Sequence, residues 1–472
     1  MTDFDIIVLG GGSGSQVATA AAEEGLEAVV VEPGPLGGAC VTRGCVPSKA
    51  LIHRADVLEE IRGAERFGID AAVRGIDYAA ITDAIHDTVY EKADAQAESL
   101  EENEHVTLYR GAGRFLDDET VLVEREDDED VEIRGKTIVV AVGSRPVEPP
   151  IDGLEAVDYY TSDDVLYLDD PPESLLVVGG GYIGAEMGYF FDAVGTAVTM
   201  VGRSDRLLPR EDEAASEAVT DALAERFDVH AGHEVTAVSE RDGGIAAVVE
   251  SDDETIELTA DALLLATGRR PNTDTLDLEN AGIDTDDGGA VDVDEFCKTS
   301  ADGVWALGDV IGAQPYKHAA DYEARCVTVN VLEDTQQAVD YDAVPHAVFT
   351  RPRVASVGRT EEELAEEGLE YEAATVSYDA APLGLLLESD GFVKVLAEPD
   401  GGEILGCHVV GPEAPTLIQE VVVAMERAGG RVDDVVAAVH VHPALSEVIL
   451  AAFDELSTRP YSTAPDWRDV GE

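Results

Sequence analysis

The chain has 472 residues, room for three or four lobes of ordinary domain size, and 45% hydrophobic residues, the proportion of a globular core. Its 31 Lys+Arg against 99 Asp+Glu leave a net charge of -68, spread along the whole length, which excludes a nucleic-acid binder and argues against a disordered acidic tail. No apolar run of about twenty residues is present to span a membrane, Met1–Asp5 carries no basic leader, and 5 Cys are too few, and odd in number, for a disulfide-stapled secreted fold. Lysine is scarce: only Lys49, Lys92, Lys136, Lys298, Lys317 and Lys394. Such a surface repels itself in dilute buffer and becomes tolerable in concentrated salt, so the expected setting is a halophilic cytoplasm.

In chain order, Phe4–Leu9 reads as a short buried parallel strand. It runs into Gly10-Gly11-Gly12-Ser13-Gly14-Ser15, then an alanine-rich helix at Gln16–Glu24 and a second strand at Ala28–Val31 that ends on Glu32. This is a βαβ dinucleotide fingerprint. Gly10 makes the tight turn, Gly12 lets the backbone approach a pyrophosphate, and the helix N-terminus supplies N–H groups. Glu32 stands where a carboxylate grips a ribose hydroxyl. Ser15 occupies the place of the usual third glycine, a departure that a small side chain absorbs.

Cys40 and Cys45 follow at once in Gly37-Gly38-Ala39-Cys40-Val41-Thr42-Arg43-Gly44-Cys45-Val46-Pro47-Ser48-Lys49. One helical turn plus a little brings such a pair to disulfide distance. The pair is a redox-active bridge, a structural disulfide or two buried free thiols; an adjacent cation would lower a thiol pKa. Residues 51–105 read as helices with charged faces and Val106–Glu148 as β-rich structure, ending in the strand and glycine turn around Val140 and Gly143.

Ser174–Val178 is another buried strand, leading into Gly179-Gly180-Gly181-Tyr182-Ile183-Gly184-Ala185-Glu186. This second fingerprint has Gly179, Gly181 and Gly184 in place. The following strand, Ala197–Val201, ends at Gly202-Arg203 rather than at an acid. A ribose 2′-phosphate then has room, with Arg203 and Arg206 to pair with it, which favours NADPH over NADH; the alternative is two surface arginines. A third strand, Ala262–Ala266, ends in Thr267-Gly268, and a return strand closes on Leu307-Gly308-Asp309. From Val344 the texture becomes a separate α+β lobe of the kind that packs on a partner subunit, with strands at Ala347–Phe349, Phe392–Leu396 and Ile404–Val410 and helices at Ala414–Ala428 and Val432–Ala438. Near the end, His442-Pro443 with Glu447 five residues beyond His442 makes either an oriented base or a surface histidine near a helix start. Cys297, Cys326 and Cys407 read as inert core residues.

Gly37–Lys49, both glycine fingerprints, Leu307-Gly308-Asp309 and His442-Pro443…Glu447 together resemble the pyridine nucleotide–disulfide oxidoreductases. That family includes glutathione, mycothione and mercuric reductases and dihydrolipoamide dehydrogenase. The resemblance covers essentially the whole chain. It implies an α/β fold with two Rossmann-like dinucleotide-binding domains and a C-terminal α+β dimerisation domain. The expected division is 1–148 for FAD, 149–270 for NAD(P)H, 271–340 completing the FAD domain and 341–472 for the interface of a homodimer with shared active sites. By resemblance, Gly10, Gly12, Ser15, Glu32, Gly38, Lys49, Gly143 and Asp309 bind FAD, and Gly179, Gly181, Tyr182, Gly184, Arg203, Arg206 and Gly268 bind NADPH. Cys45 is the flavin-side thiol and Cys40 the interchange thiol. Lys49 pairs with Glu186 near the flavin ring, Tyr182 covers the nicotinamide pocket, and His442, supported by Glu447, acts as acid–base from the other subunit. No metal is implied.

The segments Tyr316–Arg325 and Pro345–Gly358 look most like mycothione reductase and its relatives. Mercuric reductases carry an extra cysteine pair near the C-terminus, which Tyr461-Ser462-Thr463 lacks. A halophilic archaeal cell uses γ-glutamylcysteine as its small thiol. The expected reaction is therefore NADPH-linked reduction of a low-molecular-weight disulfide, bis-γ-glutamylcystine first, in cytoplasmic redox homeostasis. An NAD-linked dihydrolipoamide dehydrogenase is the alternative; a mercuric reductase-like protein and a non-catalytic flavoprotein docking subunit are more distant. Arg43 is a nearby cation for an anionic substrate or a structural member of its loop.

Overall fold

The run Ile6–Leu9 is buried on both faces, which is why it reads as unbroken apolar sequence rather than as alternation. It ends the strand Thr2–Leu9, which pairs in parallel with Ala28–Val31 on one side and with Val131–Val140 on the other. The computed structural model describes residues 1–125, 128–333, 335–427 and 429–458; Tyr461–Thr463 and Ala428 lie outside them. The fold is mixed α/β, and the chain divides into two units, each described by itself.

The first unit gathers Met1–Pro150, Tyr159–Pro171 and Leu264–Asp340. Its main sheet runs Val106–Tyr109, Ala28–Val31, Thr2–Leu9, Val131–Val140, then the antiparallel strands Thr120–Glu124 and Ala112–Phe115. The far end of Val131–Val140 takes Val304–Ala306 in parallel. The register puts Leu9 level with Val31 and Val140, and Val140 level with Ala306. Gly10, Glu32, Ala141 and the turn into Asp309 therefore collect along one carboxyl edge, where open α/β sheets bind ligands. Beneath that edge Ile7, Leu9, Val31, Ile138 and Val140 form a continuous core with Phe115 and Ile311.

The second unit holds Ile151–Asp158, Pro172–Leu263 and the residues from Tyr341 onward. Ser174–Val178, Ala197–Gly202 and Asp228–Ala231 are parallel neighbours. A three-stranded antiparallel sheet, Glu234–Arg241, Gly244–Glu250 and Thr255–Ala260, follows. The C-terminal lobe is a five-stranded antiparallel sheet in the order His346–Val348, Val354–Gly358, Ile404–Val410, Phe392–Ala397, Glu372–Ser377, covered by helices such as Ala414–Arg427 and Ser446–Asp454.

A buried ion cluster ties the second unit together. Lys394 Nζ lies 2.9 and 2.8 Å from the two oxygens of Asp212 and 2.5 Å from Glu361. Asp212 also caps the helix Glu213–Ala224. Burial raises the Asp212 carboxyl, but the charges of His408 and Lys394 reverse this and hold it below the usual carboxylate range. Removing the cation from such a cluster strands two carboxylates. Lys394→Met is expected to cost about 3–5 kcal/mol and lower the thermal midpoint by roughly 10 °C. Because the Asp212 and Glu361 pKa values are depressed in the fold, their stabilisation is complete above the ordinary carboxylate pKa and is lost as pH falls through the native values. An acid titration of the melting midpoint should therefore fall less steeply in Lys394→Met than in the wild type.

Candidate active site

The first glycine turn is built for close approach. Gly10 has φ 114°, and a Cβ there would fall 2.2 Å from the Ala141 carbonyl oxygen. Gly12 and Gly38 face one another: a Cβ on Gly38 would reach within 3.2 Å of the Gly12 Cα. The sequence assigns the third-glycine role to position 15, but the structure divides it. Gly14 makes the close helix–strand packing, since a Cβ there would meet Ala141 Cβ at 2.5 Å and Val8 Cγ1 at 3.0 Å. Ser15 instead donates its hydroxyl to the Gly12 carbonyl at 2.8 Å. Among the described residues Ser13 Oγ is buried without a hydrogen-bond partner, a donor that a pyrophosphate oxygen would satisfy. The Glu32 carboxylate accepts from Gly11 N–H at 2.7 Å and Gly34 N–H at 2.8 Å, which fixes its orientation and leaves lone pairs for ribose hydroxyls. On the same edge Ser144 Oγ donates to Asp309 at 2.6 Å, and Arg269 donates to Ser144 Oγ at 2.9 Å. Gly143, at φ 68°, precedes that serine. These features fit a dinucleotide such as FAD.

The cysteines lie not on one continuous helix but on two. Cys40 is inside the short helix Gly38–Arg43, and Cys45 is the first residue of Cys45–Arg62. Gly44 makes the break, where a Cβ would lie 2.8 Å from the Ala39 carbonyl oxygen. The break puts Cys45 at a helix N-terminus, where the positive end of the dipole favours a thiolate. Neither cysteine is disulfide-bonded in this structure, Cys40 being half-buried and Cys45 exposed. A hydrogen bond to Cys45, then burial and the charge of Cys45, push the Cys40 thiol far above the ordinary range; Lys317 pulls it down by less. The cation that acts on Cys40 is thus Lys317, far from it in the chain, and it is outweighed. The intervening loop is anchored by the Tyr167 hydroxyl, which donates to the Thr42 carbonyl at 2.5 Å, and by Arg43 Nε, 3.0 Å from Asp163. Arg43 is therefore held within the loop's own structure. Lys49 is half-buried on the helix Cys45–Arg62.

In the second unit, Gly179 has φ 125°, and a Cβ on Gly184 would lie 2.1 Å from the Gly179 carbonyl oxygen. Gly181 faces open space, and Tyr182 begins the helix Tyr182–Val194. Glu186 is buried on that helix and accepts from Phe349 N–H at 3.0 Å. Arg203 is well exposed, 3.8 Å from Glu234; Arg206 is engaged by Glu213 and, at 3.2 Å, by Glu217. Gly268 groups with the first unit, its carbonyl accepting from Val147 N–H at 3.0 Å. His442 is exposed, and its Nδ1 lies 2.9 Å from Glu447 Oε1, while Glu447 Oε2 accepts from Ala444 N–H at 3.1 Å. That carboxylate orients the ring through Nδ1. The His442–Pro443 peptide is cis.

Sequence reasoning missed Glu211, which accepts from the Tyr182 hydroxyl, and Ser356 and His346, which bond to Glu211 in turn; they lie far from Tyr182 in the chain and match no motif. Cys297, Cys326 and Cys407 are buried, and burial raises the thiol of each. Among the described residues no helix is long and apolar enough to cross a membrane, and no group of three or more His, Cys, Asp or Glu is placed to hold a metal.

The family model described as pyridine nucleotide-disulphide oxidoreductase matches residues 4–341, and the corresponding dimerisation domain matches residues 344–453. The chain is 35% identical to dihydrolipoyl dehydrogenase 3 of Haloarcula marismortui over 464 residues, 96% of each chain. It is 36% identical to mycothione reductase of Mycobacterium tuberculosis over 462 residues, 95% of this chain and 98% of that one. The HOCl-induced flavoprotein disulfide reductase RclA of Escherichia coli, solved as a Cu(II) complex, superposes with a TM-score of 0.87 at 27% identity, covering 97% of this chain and 100% of that one. The chain belongs to the pyridine nucleotide–disulphide oxidoreductases, flavoprotein enzymes that use FAD and NAD(P)H, act on sulfur groups and carry a dimerisation domain.

Proposed function

We propose that this protein is a cytoplasmic, homodimeric, NADPH-linked reductase of a low-molecular-weight disulfide, with bis-γ-glutamylcystine the favoured substrate. The observation that carries the reading is the Cys40–Cys45 pair, brought together by the helix break at Gly44 and one short loop from a dinucleotide cradle. Residues 1–148 and 271–340 then serve FAD, 149–270 NADPH and 341–472 the dimer interface. FAD supplies the step between a hydride donor and a sulfur–sulfur bond. Lys49 and Glu186 are assigned to the flavin's surroundings.

One NADPH and one proton supply the two electrons and two protons that convert the Cys40–Cys45 bridge to a dithiol. The attacking species is a thiolate, so the Cys40 proton must go to a base, and we assign that role to His442 of the partner subunit, oriented by Glu447. Cys40 sulfur attacks one substrate sulfur; the substrate S–S bond breaks, and the imidazolium returns the proton to the leaving thiolate. Cys45 gives up its proton and attacks Cys40 in the mixed disulfide, re-forming the bridge and expelling the second thiolate, which takes that proton up. The sum is NADPH + H⁺ + RSSR → NADP⁺ + 2 RSH.

Exposed Arg203 supports NADPH, because its guanidinium is only loosely paired with Glu234. Arg203→Ala is expected to lower kcat/KM for NADPH about tenfold without changing that for NADH. Turnover of bis-γ-glutamylcystine with NADPH tests the reading. Efficient NAD-linked oxidation of dihydrolipoamide without disulfide reductase activity favours instead the second reading, dihydrolipoamide dehydrogenase, which is supported by the 35% identity to the haloarchaeal enzyme. With a net charge of -68 the protein repels an anionic disulfide in dilute buffer. Activity is therefore expected to rise with KCl, and turnover that falls in concentrated KCl contradicts this.

A further inference from the structure

We propose that Glu211 and His346 form a latch on the Tyr182 hydroxyl that sets how readily a nicotinamide ring enters its pocket. The inference rests on the reading of Tyr182 as that pocket's cover. Tyr182 is the first residue after the second glycine turn, at the helix N-terminus where a dinucleotide's pyrophosphate docks. Its side chain is therefore within reach of the path the nicotinamide half must take.

The latch is built around a carboxylate with no solvent access. Glu211 Oε1 accepts from the Tyr182 hydroxyl at 2.5 Å and from His346 Nε2 at 2.9 Å, and Oε2 accepts from the Ser356 hydroxyl at 2.7 Å. Burial alone pushes the Glu211 carboxyl up; the hydrogen bond and charge of His346, then the hydroxyls of Tyr182 and Ser356, bring it below the usual range. His346 and Ser356 are register partners on antiparallel strands, so they present side chains to the same face. The His346 ring also stacks on Tyr182, with centroids 6.0 Å apart and planes 17° from parallel.

The three donors are not equivalent. His346 and Ser356 sit as register partners on adjacent sheet strands and hold Glu211 from one side. Tyr182 is half-buried at a helix start, and its ring turns about its own side-chain bonds. If the tyrosine swings out, Glu211 keeps its histidine and serine donors and is never left bare. Opening breaks the charge-assisted hydrogen bond to Glu211 and the stacking on His346, and closing restores both.

The test uses the flavin-loaded dimer and two ligands in equilibrium titrations. NADP⁺ carries a nicotinamide ring, and 2′,5′-ADP carries the same ribose phosphate without it; NAD⁺ and ADP-ribose form a second pair. Tyr182→Phe removes the latched hydroxyl and keeps the ring. It is expected to bind the nicotinamide-bearing ligand about tenfold more tightly and the ring-less ligand as the wild type does. Glu211→Gln should shift binding in the same direction, and the double variant should bind no more tightly than Tyr182→Phe alone. Should Glu211→Gln fail to fold, Tyr182→Phe decides alone, because it leaves Glu211 with His346 and Ser356. Unchanged NADP⁺ affinity in Tyr182→Phe, or an equal shift for both ligands, overturns the latch while wild-type binding and flavin reduction by NADPH leave the proposed function standing. A wild-type dimer that binds neither nicotinamide nucleotide overturns both.

Discussion

Cys40→Ser is expected to lower NADPH-dependent disulfide reduction by on the order of 10³-fold or more, because the attacking sulfur is removed and nothing else on that loop replaces it. The flavin should still be reduced by NADPH, since hydride delivery precedes any use of the thiol. Cys45→Ser should stop turnover as completely, but in a different way. Cys40 remains able to open a substrate disulfide, and no resolving thiol follows. One equivalent of small thiol per chain is released in a burst, and Cys40 is left as a mixed disulfide detectable by intact-mass measurement. Steady turnover by either variant contradicts the assignment of roles. The raised Cys40 thiol sharpens this expectation, since a thiol that holds its proton is a poor nucleophile until a base acts on it.

That base is the second large effect. His442→Gln is expected to slow disulfide reduction by about 10²–10⁴-fold, the range for losing a positioned proton-transfer group. Reduction of the flavin by NADPH in single-turnover experiments should keep its wild-type rate, so the loss falls on the sulfur half-reaction. Glu447→Gln should produce a smaller loss and move the pH profile, because the carboxylate 2.9 Å from Nδ1 orients the ring and supports its charged form. Equal losses in both half-reactions contradict the assignment.

The glycine turns were legible in the sequence because their chemistry is local. A strand that ends on Gly10 or Gly179, followed at once by a helix, allows few other conformations, and the level registers of Leu9, Val31 and Val140 carry Glu32 to the same edge. The cysteine loop was legible in composition but not in shape: the helix break at Gly44, which separates the two thiols onto different helices, depends on a backbone contact with Ala39. Likewise the transfer of close packing from position 15 to Gly14 depends on Ala141, brought alongside only by sheet register. Glu211 was invisible for the opposite reason. Its partners Ser356 and His346 lie 145 and 135 positions away, and nothing in Arg210-Glu211-Asp212-Glu213 distinguishes a carboxylate that is fully buried from the acidic surface around it. In so acidic a chain, charge alone carries little information about burial.

Electrons from NADPH must reach one specific pair of sulfurs, and differential alkylation measures that directly. The oxidised dimer is treated with a thiol reagent before and after one equivalent of NADPH under anaerobic conditions, and modified peptides are mapped. Cys40 and Cys45 should be unreactive before NADPH and both modified after it, with Cys297, Cys326 and Cys407 protected throughout by burial. Full modification of Cys40 and Cys45 before any NADPH is added, or no gain after it, contradicts the account.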